Sequence, residues 1–151
     1  MTISTRPMED KDLDRVTYME ECSFSMPWKR EDFKRLIDDE GSTYLVIEAD
    51  GEVVGAAGYT DQVGVGYINN VVIDEGFRGR KLSYKLMKAL LDDGISRGLT
   101  DFTLEVRVSN LPAVRLYEGL GFKSAGVRKN FYERPVEDAY VMWLYTSQRG
   151  Q

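Results

Sequence analysis

Histidine is absent from this 151-residue chain, and cysteine occurs only once, at Cys22. Without histidine, the serine–histidine and cysteine–histidine pairs that activate a nucleophile are excluded. The usual ligands of zinc and iron–sulfur sites are almost missing, so we expect no metal site. A single cysteine forms no internal disulfide bond, which suits a reducing compartment. Any proton transfer must therefore use aspartate, glutamate, tyrosine, lysine or Cys22.

Long apolar runs are also missing. Residues 1–7 lack the apolar stretch of a signal peptide, and no segment reaches the length of a transmembrane helix. The net charge is −5 and the pI is near 4.9, which disfavours binding to nucleic acid or to acidic membranes. We expect a single domain spanning residues 1–151, in the cytoplasm, with neither nucleic acid nor membrane as a partner. Monomer and homodimer both stay open.

The apolar residues that are present follow strand and helix periods, which predicts an α/β protein. A strand–helix–strand unit over residues 67–108 predicts one parallel strand pair, and an Asp50-Gly51 turn predicts an antiparallel hairpin. The expected sheet is therefore mixed, twisted and covered by flanking helices. The predicted strands span residues 2–6, 43–48, 53–59, 67–73, 102–108, 122–127 and 139–145; the predicted helices span 9–23, 29–38, 82–97 and 112–120.

The loop before the third and longest helix concentrates positive charge in an acidic protein. Arg78, Arg80 and Lys81 lie immediately before the predicted helix start. A helix N-terminus offers unpaired backbone N–H groups and a positive dipole end, so basic residues there oppose the dipole unless an anion binds. The loop is either a phosphate cradle or an ordinary solvated loop.

Three polar side chains surround the junction of the next strand and helix, over residues 104–122. Glu105 lies on the polar face of the strand, Asn110 precedes the helix, and Tyr117 lies within it. A carboxylate and a phenol form a possible base and acid in a chain without histidine. Structural roles stay open: Glu105 could pair with Arg107 or with a cation of a neighbouring strand on a solvent face, Asn110 is a good helix N-cap, and Tyr117 could pack at the core edge.

The same segments resemble the GCN5-related N-acetyltransferase (GNAT) family over nearly the whole chain. The resemblance is strongest in the segment 104–122, with its Leu-Glu-Val-Arg opening and Leu-Tyr-Glu-Gly-Leu-Gly-Phe ending, and in Arg128-Lys129-Asn130-Phe131-Tyr132. It is closest to the ribosomal-protein-alanine N-acetyltransferase branch. The loop Arg78-Gly79-Arg80-Lys81-Leu82-Ser83 matches the family's acetyl-CoA loop with two departures. Lys81 replaces the first motif glycine, and Ser83 replaces a glycine or alanine.

The resemblance implies a GNAT fold, with a mixed sheet of about six or seven strands. It also implies direct acetyl transfer from acetyl-CoA to an amine, with Glu105 as general base and Tyr117 as general acid. The backbone along one strand would pair with the pantetheine arm, the helix-start loop would hold the pyrophosphate, and Asn110 would anchor the cofactor. These cofactor-binding residues are Val71, Val72, Ile73, Arg78, Gly79, Arg80, Lys81, Leu82, Ser83, Tyr84 and Asn110.

The acceptor is less constrained than the cofactor. The resemblance favours the N-terminal α-amine of a protein such as a ribosomal protein. A small polycationic amine suits the acidic balance, and a non-catalytic CoA-binding domain is a further alternative suggested by Lys81 and Ser83. We expect specificity to depend on residues 23–28 and 127–138, where Tyr132 either contacts the acceptor or covers the sheet.

Overall fold

The computed structural model describes residues 1–146, which form one seven-stranded mixed sheet with helices on both faces. The order across the sheet is β1-β2-β3-β4-β5-β7-β6, and β4 and β5 form its parallel pair. This confirms the predicted fold class. The strands are β1 Ile3–Pro7, β2 Ser42–Ala49, β3 Glu52–Gln62, β4 Val65–Ile73, β5 Asp101–Arg107, β6 Lys123–Tyr132 and β7 Glu137–Tyr145.

Four α-helices cover the sheet, with two short 3₁₀ turns at Asp10–Asp12 and Glu75–Phe77. The first predicted helix is shorter than expected, because residues 10–12 form a 3₁₀ turn. Strand β6, predicted to end at residue 127, continues to Tyr132 through an irregular register opposite β7. The α-helices are α1 Leu13–Ser23, α2 Arg30–Asp38, α3 Leu82–Ser96 and α4 Leu111–Gly119.

Two apolar cores lie on opposite faces of the sheet. One core joins α1 and α2 to the sheet through Leu13, Val16 and Phe33. The other joins α3 and α4 to strands β3, β4, β5 and β7. The apolar residues of α3 recur at helical spacing on one face, and they pack against the alternate residues that those strands direct to this side of the sheet. Its α3 members are Leu82, Leu86, Met87, Leu90 and Leu91.

Strands β4 and β5 separate after a short parallel pairing. The pairing covers residues 65–67 of β4 and 101–103 of β5, after which β5 pairs with β7 while β4 stays with β3. Within residues 1–146, the far half of β4 therefore has a strand partner on one side only. The resulting opening lies between β4 and β5, beside the N-terminus of α3.

Candidate active site

Glu105 lies on β5 at this opening, with a side chain that is 8% exposed. The phenol of Tyr67, on β4, donates a hydrogen bond to its Oε1 atom, and the Arg128 Nη1 atom lies 3.7 Å from its Oε2 atom. The anticipated alternative, an ion pair with Arg107, does not form. The carboxylate is therefore a nearly buried group between two strands, and its ion-pair partner is the exposed Arg128 on β6.

Arg107 instead fixes the turn between β6 and β7. Its guanidinium donates to the Glu133 carbonyl at 2.8 Å and to the Glu137 carboxylate at 3.2 Å. Its charged group also lies 4.5 Å from the centre of the Tyr132 ring, a cation–π contact. Glu137 in turn accepts a 2.7 Å hydrogen bond from the Ser109 backbone N–H. These contacts hold Tyr132 beside the end of β5.

Two tyrosines, Tyr67 and Tyr132, interact electrostatically with the carboxylate, while a third, Tyr117, interacts with Tyr132; all three keep their protons at neutral pH. Burial raises the pKa of Tyr67 above its usual value, and the hydrogen bond to Glu105 adds to this rise. Burial also raises the pKa of Tyr132 to about 12, with a further contribution from the negative charge of Glu105. The pKa of Tyr117 is raised by burial first and by Tyr132 second. The site therefore offers neutral O–H donors around one carboxylate.

Tyr117 and Asn110 both belong to α4, and the structure gives each a packing or capping contact. The Tyr117 ring is 8% exposed and packs against Phe122 with ring centres 5.9 Å apart. The Asn110 side chain accepts a 3.3 Å hydrogen bond from the Ala113 backbone N–H, so it caps α4 as its residue type predicts. These contacts fix both side chains beside the junction and leave their functional roles as proposals.

The edge of β4 is arranged to accept an added strand. The Asp74 N–H donates to the Val54 carbonyl on β3 at 2.8 Å. Because backbone groups alternate in direction along an antiparallel strand, Val72 also faces β3, while Val71 and Ile73 face the opening. Of the three residues assigned to the pantetheine arm, two therefore direct backbone groups toward the opening. The Ile73 carbonyl is already bonded to Arg78 Nε at 3.2 Å.

The loop before α3 combines a left-handed backbone with positive charge. Gly79 has φ +78°, and Lys81, the residue that precedes α3, has φ +61° and ψ +18°. Lys81 thus adopts the conformation that a motif glycine would adopt more easily. Arg78 turns inward to Ser23 Oγ at 2.8 Å, and Arg80 lies over the Phe77 ring at 5.1 Å. The first N–H groups of α3 have no helical partners and can donate hydrogen bonds to phosphate oxygens.

This loop and the open β4 edge fit the phosphates and the extended arm of acetyl-CoA. Residues 13–122 match the Acetyltransferase (GNAT) family. The chain belongs to that family. It is an acetyl-CoA-dependent N-acetyltransferase, in the ribosomal-protein-alanine N-acetyltransferase branch. The interpretation as a non-catalytic CoA-binding domain is therefore set aside.

Similar proteins support this branch over almost the full chain. A [ribosomal protein bS18]-alanine N-acetyltransferase of Salmonella typhimurium is 33% identical, with 88% of this chain and 90% of the relative covered. The Escherichia coli K12 enzyme of the same name is 32% identical, with 95% and 96% covered. The crystal structure of the Escherichia coli ribosomal-protein-S18-alanine N-acetyltransferase superposes with a TM-score of 0.89 at 27% identity, covering 96% and 94%.

Other components of the acetyltransferase were less visible in the sequence. The sequence places Tyr67 on a strand but gives its side chain no role, because only the register of β4 against β5 brings it to Glu105. Arg128 belongs to one of the motifs, but its 3.7 Å approach to Glu105 depends on the path of β6.

Across residues 1–146, no cluster of three or more metal-ligating side chains is found, and no helix is long and apolar enough to span a membrane.

Proposed function

We propose that this acetyltransferase modifies the N-terminal α-amine of a protein, such as a ribosomal protein. The observation that carries the proposal is the nearly buried Glu105 at the β4–β5 opening, bonded to Tyr67 and close to the neutral phenol of Tyr132. The names of the relatives point to a ribosomal acceptor. An α-amine has a pKa near 8, so a carboxylate at this place can remove its proton directly or through one water.

In the proposed reaction, the neutral acceptor amine attacks the acetyl carbonyl carbon, and bound acetyl-CoA supplies the activated acetyl group. A C–N bond forms and the C–S bond breaks. Glu105 receives the proton that leaves the nitrogen, and Tyr117 gives its phenolic proton to the departing sulfur. Burial raises the pKa of Tyr117, which keeps the phenol protonated at neutral pH and also makes it a weaker acid toward the thiolate. Tyr67 holds the Glu105 carboxylate toward the opening by its hydrogen bond.

The residues proposed to hold the cofactor divide into two groups. Val71 and Ile73 direct backbone groups to the opening, where the N–H of one can also polarise the thioester carbonyl, as in an oxyanion hole. The residues around the start of α3 would hold the pyrophosphate through backbone N–H groups and the Lys81 ammonium. Val72 supports this edge from its pairing with β3. Asn110 is proposed as an anchor in addition to its capping contact.

The acceptor is tested by supplying acetyl-CoA with an equimolar mixture of peptides that have free N-termini and of polyamines. Mass spectrometry then locates the acetyl group. We expect acetylation of the α-amine of peptides that begin with a small residue. The same peptides with a blocked N-terminus and an internal lysine are the control and should not react. Exclusive acetylation of the polyamines would reject the peptide acceptor and favour the small-amine alternative.

A further inference from the structure

The loop between α1 and α2, residues 24–29, follows the last backbone bond of α1 and is bound near its other end by the Glu20 carboxylate. The Glu20 backbone carbonyl accepts a 3.1 Å hydrogen bond from the Phe24 N–H. Its carboxylate Oε2 atom accepts a 3.1 Å hydrogen bond from the Trp28 N–H. The residue is 2% exposed, so the carboxyl group lies within the protein and not on its surface. The Glu20 carboxylate therefore ties the Trp28 end of this loop to α1 from inside.

The second oxygen of Glu20 binds the sheet. Its Oε1 atom accepts a 2.7 Å hydrogen bond from Asn70 Nδ2, on β4. Burial raises the pKa of Glu20, while the bonds from Asn70 and Trp28 act in the opposite direction. Burying a carboxyl group is costly unless its oxygens are bonded. Both Glu20 oxygens are bonded, and together the bonds join the loop to β4.

A bulge in β4 brings this contact to the face of the sheet that carries Glu105. In the pairing with β3, Asn69 is the extra residue of β4. Residues three apart in a regular strand, such as Tyr67 and Asn70, point to opposite faces. The added residue places both on the same face, which also carries Glu105 as the partner of Tyr67. Glu20 and Glu105 are thus connected to one face through neighbouring residues of one strand.

The loop itself presents apolar side chains to solvent. Phe24 is 39% exposed and Met26 is 50% exposed. The Trp28 ring, by contrast, packs on Phe33 with ring centres 5.4 Å apart, and Phe33 packs on Tyr44 at 5.7 Å. One end of the loop is therefore fixed by rings and by Glu20, while two apolar residues stay available for contact.

We propose that Glu20 is a positioning residue for the acceptor. By holding residues 24–28 above the sheet face of Glu105, it places Phe24 and Met26 against the first side chains of an acceptor peptide. This inference rests on the proposed peptide acceptor. The Glu20 carboxylate bonds Trp28 and Asn70, and neither belongs to the residues proposed to hold the cofactor, so its effect is expected on acceptor binding and not on cofactor binding.

Steady-state kinetics of three variants test this role, with a hexapeptide beginning with alanine as acceptor. Glu20→Ala should raise the KM for the peptide by about tenfold or more, because it removes the hydrogen bonds from both Trp28 and Asn70 to the carboxylate. The KM for acetyl-CoA should stay within about twofold. Glu20→Gln should recover most of the peptide affinity, because its amide oxygen still accepts the Trp28 N–H. Glu21→Ala, at the exposed neighbouring position, should match the wild type.

The outcomes separate the inference from the function on which it rests. Wild-type enzyme that transfers no acetyl group to any peptide overturns both. Active wild type with an unchanged peptide KM in Glu20→Ala, or with both KM values raised equally, overturns the inference alone. If Glu20→Ala does not fold, as judged by circular dichroism, Asn70→Ala provides the same measurement. It removes the bond from the sheet, and a selective rise in peptide KM supports the role.

Discussion

The conformation of Lys81 makes a quantitative prediction about the loop before α3. Its φ of +61° is disfavoured for any residue with a Cβ atom by about 1 kcal/mol, and glycine avoids this cost. Replacement by glycine also increases the freedom of the unfolded chain, which offsets roughly 0.4–1 kcal/mol. The clean comparison is therefore between Lys81→Gly and Lys81→Ala, since both remove the ammonium and only alanine retains the strain.

We expect Lys81→Gly to exceed Lys81→Ala in unfolding free energy by up to about 0.6 kcal/mol, the strain less the entropic offset, measured by urea denaturation at fixed pH. For a chain of this length, that difference corresponds to roughly 1–2 °C in Tm. The matched pair is Lys85→Gly and Lys85→Ala, at an exposed position inside α3. There the order should reverse, because glycine is the poorer helix former by about 1 kcal/mol. The helical order at both positions, with glycine less stable than alanine by about 1 kcal/mol, would refute the left-handed assignment.

Two further substitutions test the sheet and the proposed acid. Gly58→Ala should destabilise the fold by about 1–3 kcal/mol in urea denaturation, because its Cβ atom would overlap the Tyr44 ring. Gly119→Ala, where no atom lies within 4 Å of the added Cβ, should be tolerated and would contradict this packing argument if it were equally damaging. Tyr117→Phe should lower kcat about 10²-fold or more with little change in either KM. Exposed Tyr145→Phe is its control, and an unchanged kcat in Tyr117→Phe would remove Tyr117 as the acid.

The sequence predicted most elements because their signals are local. The Asp50-Gly51 turn lies between two apolar strands, and the leucine spacing of α3 repeats with the helical period. Glu20 lies at the same helical spacing as Leu13 and Val16, and the structure places it in the interior with them. The periodicity thus indicated which face of α1 is buried, although it did not predict the partners of the carboxylate.

The site was less predictable because its contacts depend on register and on separation of strands. Glu105 was assigned from a strand pattern and a family resemblance, whereas its bond to Tyr67 requires that β4 and β5 pair at residues 65–67 and then diverge. Arg78 shows that charge alone does not predict contacts. Its positive charge suggests a phosphate contact, yet its side chain donates hydrogen bonds to Ser23 and to the Ile73 carbonyl. The charged residues of a segment predict its local electrostatic potential, but they do not predict where each side chain points.

The central claim is that Glu105 removes the proton from a peptide α-amine. It is tested most directly by the rate of acetyl transfer to an alanine-initiated peptide at saturating acetyl-CoA, in wild type and Glu105→Gln. We predict a loss of about 10²-fold or more in kcat, with acetyl-CoA binding by calorimetry unchanged. Glu118→Gln, the same substitution at an exposed position of α4, should behave as wild type. Full peptide acetylation by Glu105→Gln would contradict the account.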